Sequence, residues 1–399
     1  MFLNTIGKVF RREWSLIFSD VGALIFFFAL PLLYPIVYTL IYFPQTATDL
    51  PVAVVDHSRT EASRSLVRTA SAAPAISIYA QCANMQEAKD LFGKNEVVAV
   101  MEIPADYAQK IGSGEQATVP VYFEMSLLLR YRALLSALSD IQLKVASDVT
   151  EARIEAVGAS AAGMGGGLPI QSHSTFLGNP GQGFASFIMP GVFMLILQQS
   201  MVLGICLLAG TSKERRRRNG GVDPLAVQAS PVASIWGKTL CYTILYIPAT
   251  VYMVHILPEI FSLPHSYDVT TYVLFILPYL LASAMFGQLI SGLCTERESA
   301  FMVVVFTSLI FLFLSGLTWP RYAMPEFWKL VSDLVPATWG VEGFIRINSN
   351  GASLAESSRP YLWLWVLTAG YFILTWLMLA LSGKKRVTSR AYAASTGNR

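Results

Sequence analysis

Six apolar segments, each close to the length of one bilayer crossing, constrain this chain more than any other feature. They run over Val21–Tyr42, Phe187–Gly210, Leu240–Phe261, Thr271–Cys294, Ala300–Trp319 and Tyr361–Ser382. A hydrocarbon layer roughly 30 Å thick takes about 20 helical residues to cross. Within lipid every backbone N–H and C=O needs a partner inside its own segment, so these segments must be helices. Pro31, Pro35, Pro248, Pro258 and Pro278 are expected to kink several of them, which neighbours in a bundle tolerate. Only 14% of the 399 residues are charged, against about 25% in a soluble domain, and the mean hydropathy is +0.49. Disorder, a collagen-like repeat and a secreted disulfide scaffold are excluded. Cysteine usage agrees, because Cys206, Cys241 and Cys294 lie in apolar runs and Cys82 stands alone in the largest polar segment. No CxxC or Cys/His spacing points to a structural zinc site.

Charge placement predicts the orientation. The segments before the first span, between the second and third, between the fourth and fifth, and after the sixth carry 15 Lys/Arg and six acids. The long segment 44–183 carries ten Lys/Arg and fourteen Asp/Glu. The positive-inside rule therefore places both termini in the cytoplasm and 44–183 outside, in a multi-pass protein. The run Lys213-Glu214-Arg215-Arg216-Arg217-Arg218 must sit in water or among headgroups, since each arginine buried in lipid costs at least about 2.5 kcal/mol. The first apolar run exceeds a signal-peptide core of roughly 7–15 residues and reads as a retained anchor.

The expected fold is a membrane all-α six-helix bundle with an external α/β domain inserted between the first and second transmembrane helices. Residues 1–20 form a cytoplasmic interfacial helix, with Ile6, Val9, Phe10, Trp14 and Ile17 opposite Lys8, Arg11 and Arg12. Residues 21–43 are transmembrane helix 1, and 44–183 the external domain. Residues 184–383 hold helices 2–6, with a basic loop at 211–238, read as a headgroup-binding patch or a docking element, and an external re-entrant segment at 320–346, and 384–399 form a basic tail. Within 44–183, strands are expected at Pro51–Val55, Ala75–Ala80, Val97–Ile103 and Val119–Phe123. Helices are expected at Glu61–Ala70, Met85–Phe92 and Ala105–Ile111, with a longer one from Ser126 to Val157. The glycine-rich 158–167 breaks that helix. In that basic loop, 222–227 reads as a small helix parallel to the membrane.

No motif provides a catalytic centre or a cofactor or metal site. Gly237-Lys238-Thr239 resembles the tail of a phosphate loop, but the first glycine of that motif would fall at Val232 and no strand feeds it. The histidines at 57, 173, 255 and 265 are scattered, and neither HExxH nor GxSxG is present. Asp56-His57-Ser58 are adjacent and cannot converge as a triad, so Asp56 or Ser58 reads as a helix cap. Basic and aromatic residues are not interleaved in any soluble segment, which leaves nucleic-acid binding unsupported. Within the spans Gln198, Gln199 and Gln288 stand out. Each either hydrogen-bonds a neighbouring helix or lines a pathway.

Several segments, in order along the chain, resemble the permease subunits of type-2 ABC exporters, the half-transporter kind with a large external domain. They are PVAVVDHSRTEASR (51–64), VVAVMEIPADYAQKIGSGE (97–115) and GNPGQGFASFIMPG (178–191). Then come Glu214-Arg215 with Gly220, Pro231 and Gly237-Lys238, and finally Ser315-Gly316, Pro320, Met324-Pro325, Leu334 to Trp339 and Arg346. The coupling loop departs from the family's Arg-Glu-x-Gly-Thr, with four arginines leading into Asn219-Gly220-Gly221.

The resemblance implies an export permease that binds no nucleotide itself, ATP and Mg being held by a separate ABC ATP-binding subunit. It also implies a second permease half, either a copy or a paralogue, with a periplasmic adaptor as a further candidate partner. The contact with the ATPase would fall to Glu214, Arg215, Arg216, Arg217, Arg218, Asp223, Pro224 and Leu225, and to Arg11, Arg12, Glu13 and Trp14 of the interfacial helix. Ser315, Gly316, Pro320, Pro325 and Pro336 would form the external gate. The cargo implied by the aromatic spans is hydrophobic or amphipathic, drug- or lipid-like. Two other readings remain open: a membrane-anchored scaffold or receptor, and a hydrolase working near Asp56, His57 or Glu102.

Overall fold

The computed structural model describes residues 2–43, 46–125, 127–156, 179, 183–265 and 268–396. The glycine-rich stretch 158–167 and most of the lead into the second span lie outside them. The chain divides into two compact units, 1–43 with 176–399, and 44–175.

The first unit is helical, with six helices among the described residues long and apolar enough to cross a membrane: Val21–Ile41, Phe184–Arg218, Pro231–Ile260, Val269–Ile290, Arg297–Leu314 and Ser358–Leu381. A separate helix, Phe2–Ser19, precedes them. The second span is the hub, buried over 89% of its most apolar stretch against 22% in the first and fifth. It extends well past the Gly210 boundary expected from hydropathy. At 1.5 Å per residue its 35 residues reach roughly 52 Å, so the basic run is its final turn, projecting beyond a 30 Å layer. Arginines there also complement the negative end of the helix dipole. The third span begins earlier than Leu240, at Pro231, where Ser230 accepts a hydrogen bond from the Ala233 N–H. The coupling loop is thus only 219–230, and 222–227 is a turn rather than the expected small helix. Asp223 accounts for this, because its carboxylate takes the Leu225 N–H while its carbonyl takes the Ala226 N–H.

Two prolines leave visible marks. Wide helical turns occur at Ile25–Ala29 and Tyr252–Ile256, just before Pro31 and Pro258. A proline ring clashes with the carbonyl four residues back, here Phe27 and Val254, and each lies inside its wide turn. The fifth span ends at Leu314, short of Trp319. Gly316 there adopts a left-handed φ of +85°, which a side chain would resist.

The second unit is an α/β layer. Strands β1 (Leu50–Asp56), β2 (Ile76–Cys82), β3 (Ala99–Ile103) and β4 (Val121–Phe123) lie in the order β2-β1-β3-β4. The first three are parallel, and β4 runs antiparallel to β3. Central β1 is apolar on both sides. Val52 and Val54 pack with Leu66, Met101, Leu134 and Ile141, while Ala53 and Val55 pack with Ala88, Val97 and Val100. Helices Glu61–Ser71 and Met85–Gly93 start at capping residues Thr60 and Asn84, and Leu128–Ala156 is the long helix.

Candidate functional site

The helix Phe2–Ser19 packs along the third span through Val9, Glu13, Leu16 and Ile17, which recur at helical spacing. The crossing is tight: a Cβ added at Gly237 would lie 2.7 Å from the Val9 Cβ. Phe10, Trp14 and Phe18 stack along a different strip, with Trp14 and Phe18 exposed. The sequence grouped Val9, Phe10, Trp14 and Ile17 on one apolar face, and the structure separates a strip buried on protein from an outward aromatic strip.

Glu13 lies on the buried strip, only 2% exposed, because three partners meet it there. Arg12 is 2.8 Å away, the Tyr242 hydroxyl donates to it at 2.9 Å, and the Lys238 ammonium stands at 3.5 Å. Arg12 also reaches the loop, pairing with Asp223 at 2.9 Å and donating through Nε to the Leu225 carbonyl. Asp223 is shared with Arg215 at 3.0 Å. Burial pushes the Asp223 carboxyl up, but the Arg215, Leu225 and Arg12 donors outweigh it and hold the group below the usual carboxylate range. One chain of charges therefore ties the N-terminal helix, the end of the second span, the loop and the start of the third span.

The same end of the bundle carries further ties. Arg216 donates to the Gly221 carbonyl at 2.6 Å, and Arg217 pairs with Glu296 at 2.5 Å. Glu214 accepts the Arg297 N–H at 2.6 Å, while the Arg297 guanidinium grips Asp20 with bonds of 2.8 and 3.0 Å. Asp20 in turn caps the first span through the Gly22 and Ala23 N–H groups. Lys213 donates to the carbonyls of Ser291, Gly292 and Cys294, which end the fourth span. Arg218 makes no ion pair among the described residues. Arg11 is exposed, as are Val222 and Leu225 at the loop surface, and Pro224 lies between them in sequence. The basic run is thus mostly engaged within the chain. Glu13, Lys213, Lys238 and Gln288 also line a cavity of about 200 Å³ between the helices.

The three glutamines divide. Gln288 donates to the Thr239 hydroxyl at 2.8 Å, joining the fourth span to the third. Gln198 is fully buried, and neither its amide nor that of Gln199 makes a hydrogen bond to a described residue.

At the far end of the fifth span, Ser315 donates to the Leu312 carbonyl and Gly316 turns the chain. Pro320 leads into a short turn Arg321–Ala323, Pro325 precedes the helix Glu326–Asp333, and Pro336 opens the helix Pro336–Asn350. That last helix is buried against the second and fourth spans, with Gly340 facing the Tyr279 ring and Gly343 the Phe275 ring. Sequence reasoning missed the residue that organises this segment. Arg321 bonds Asp333, pairs with Glu342 at 2.6 Å and lies 4.4 Å over the Trp339 ring, and Arg346 also pairs with Glu342 at 2.6 Å. A cavity of about 530 Å³ borders Ser315, Gly316, Arg321, Arg346 and Arg359.

In the second unit, Asp56 takes the Ser58 and Arg59 N–H groups at 2.9 Å and the Ser63 hydroxyl at 2.7 Å. His57 instead faces Glu102 at 3.4 Å. Asp56 holds the turn and braces Ser63, but neither it nor Ser58 is the expected helix cap, a role that falls to Thr60, and Asp56 does not join His57 and Ser58 in a relay.

Six apolar helices among the described residues, the second of them buried, with charges linking several at one end, define a multi-pass membrane protein. The chain matches the ABC-2 family transporter protein family over residues 22–377 and belongs to that family. It is also similar to the probable multidrug ABC transporter permease YbhR of Escherichia coli K12, with 22% identity over 331 residues covering 79% of this chain and 84% of that protein. The same holds for YbhR of Escherichia coli O157:H7. A permease of this class implies an ATP-binding partner subunit.

Proposed function

We propose that this chain is the permease half of an ATP-driven exporter, moving a hydrophobic or amphipathic cargo, such as a drug or lipid, out across the cell membrane. In this reading 44–175 is external, both termini are cytoplasmic, and the N-terminal helix with loop 219–230 receives the ATPase. A second permease half covers part of the exposed apolar faces of the first, fifth and sixth spans. The observation that carries the proposal is the Arg12–Asp223–Arg215 chain, which with the Glu13 contacts to Tyr242 and Lys238 ties the loop, the N-terminal helix and the second and third spans into one body. Nucleotide binding can shift the bundle only if its two states differ in their contacts with the ATPase, and this body is where such a difference can be transmitted. Gln198, central and with its amide unbonded among the described residues, is the pathway residue to examine first, because a buried amide without a partner costs free energy that a pathway role would explain.

The docking surface proposed is Val222, Leu225 and Arg218, which the internal network leaves outward. Leu225→Glu is expected to reduce the ATPase that co-purifies with the permease, while membrane insertion and size-exclusion profile stay as in the wild type. Full recovery of ATPase with Leu225→Glu and Arg218→Glu combined would place docking elsewhere.

A further inference from the structure

At the end of the third span, three side chains that the sequence shows as scattered converge. His255 lies in the wide turn Tyr252–Ile256, and Glu259 follows one turn later on the same face. The helix then ends in a tight reversal, with Ser262 at φ +52° and the Leu263 N–H bonded to the Pro258 carbonyl. That reversal folds His265 back over the helix. The two imidazoles meet edge to face with centroids 5.8 Å apart, and Glu259 Oε1 lies 3.5 Å from His265 Nε2. One ligand atom from each of the three residues lies within 4.8 Å of the other two.

The hydrogen bonding of His265 makes this arrangement informative. Its Nδ1 sits 3.1 Å from the Leu263 carbonyl, which can only accept, so Nδ1 carries a proton. In a neutral ring, Nε2 is then an acceptor facing a carboxylate, which also accepts. At this separation a cation suits both acceptors: a proton, on Nε2 or on the carboxyl, or a metal ion. A proton would satisfy His265 and Glu259 alone and leave the approach of His255 unused. A metal ion uses all three. Fixing a ligand imidazole through Nδ1–H to a backbone carbonyl is also how metal-binding histidines are commonly oriented.

We infer that His255, Glu259 and His265 form a site for a divalent transition-metal ion of the zinc class. Two imidazoles and one carboxylate suit Zn²⁺, Co²⁺, Ni²⁺ or Cu²⁺ better than Mg²⁺ or Ca²⁺, which favour all-oxygen shells. Three protein ligands leave coordination positions for water. Binding would fasten the end of the third span to the connection that leads into the fourth. The inference is independent of where the ATPase docks.

The test is a Co²⁺ titration of the full-length chain in detergent, followed by its visible ligand-field absorption and by competition with Zn²⁺. Zn²⁺-displaceable absorption without a thiolate charge-transfer band is expected. His255→Ala and Glu259→Gln alter exposed side chains, so a monodisperse product is expected, and each should weaken Co²⁺ binding by about tenfold or more. His57→Ala, which removes the other described His–Glu pair, should leave binding unchanged. Absence of Co²⁺ binding, wild-type affinity in both site variants, a thiolate band, or loss of binding in His57→Ala would each overturn the inference.

Discussion

The two ends of the fifth span carry charged networks of opposite design. Near Arg297 the links are long-range: Arg12 to Asp223, Arg297 to Asp20 and Lys213 to the end of the fourth span join elements far apart in the chain. Beyond Leu314 the links are local, with Arg321, Asp333, Glu342 and Arg346 all drawn from one connecting segment. A local network sets the shape of one segment. A long-range one makes several elements share a single position, which is what a surface that receives motion requires.

The comparison breaks most clearly at Glu13. Glu13→Ala removes the buried counter-charge of Lys238 and one of the two that Arg12 holds, and should cost about 3 kcal/mol, read as a large fall in thermal stability in detergent. A wild-type melting temperature would show that the long-range network is not structural. Arg321→Ala should cost somewhat less, about 2 kcal/mol, because Asp333 and Glu342 are partly exposed and can rehydrate. Its faster amide exchange should stay within 321–350, whereas Arg12→Ala should loosen both the N-terminal helix and loop 219–230. Equal spread in the two variants would erase the contrast. A double-mutant cycle of Arg12→Ala and Asp223→Asn should give a coupling of about 1 kcal/mol, and additivity would remove the proposed link. Among the uncharged polar residues, Gln288→Leu should cost about 0.6 kcal/mol through loss of the Thr239 bond. Gln198→Met should not lower stability but should change transport.

The smallest effect concerns pH. The folded carboxyl of Asp223 is held below its ordinary value of about 3.9, so its contribution is present above that value and lost as pH falls through the lower folded value. Melting temperatures of wild type and Asp223→Asn should therefore converge on acidification below about pH 4. A constant gap would assign the stabilisation to another group.

Much of the fold was legible in the sequence, because hydrocarbon thickness and strand periodicity act locally. The four strands and the helices between them lie close to their expected positions. Span ends were misplaced for a physical reason: hydropathy reports where lipid stops, not where hydrogen bonding stops, so the second helix runs through four arginines to Arg218. The site was less legible. The charge on Arg215 reads as a surface feature until Asp223 and Arg12 are seen beside it, and a pair separated by some two hundred residues leaves no periodic trace. Asp20 was the accessible exception, an N-cap residue standing just before an apolar run. The importance of Arg321 was hidden because its partners sit at irregular spacing across two helices.

The close crossing of Val9 over Gly237 has a mechanical meaning. With no side chain on Gly237 to hold Val9 off, the N-terminal helix has almost no play against the third span, and a push on one is felt by the other. Even an alanine at 237 would act as a wedge, turning a rigid lever into a loose one.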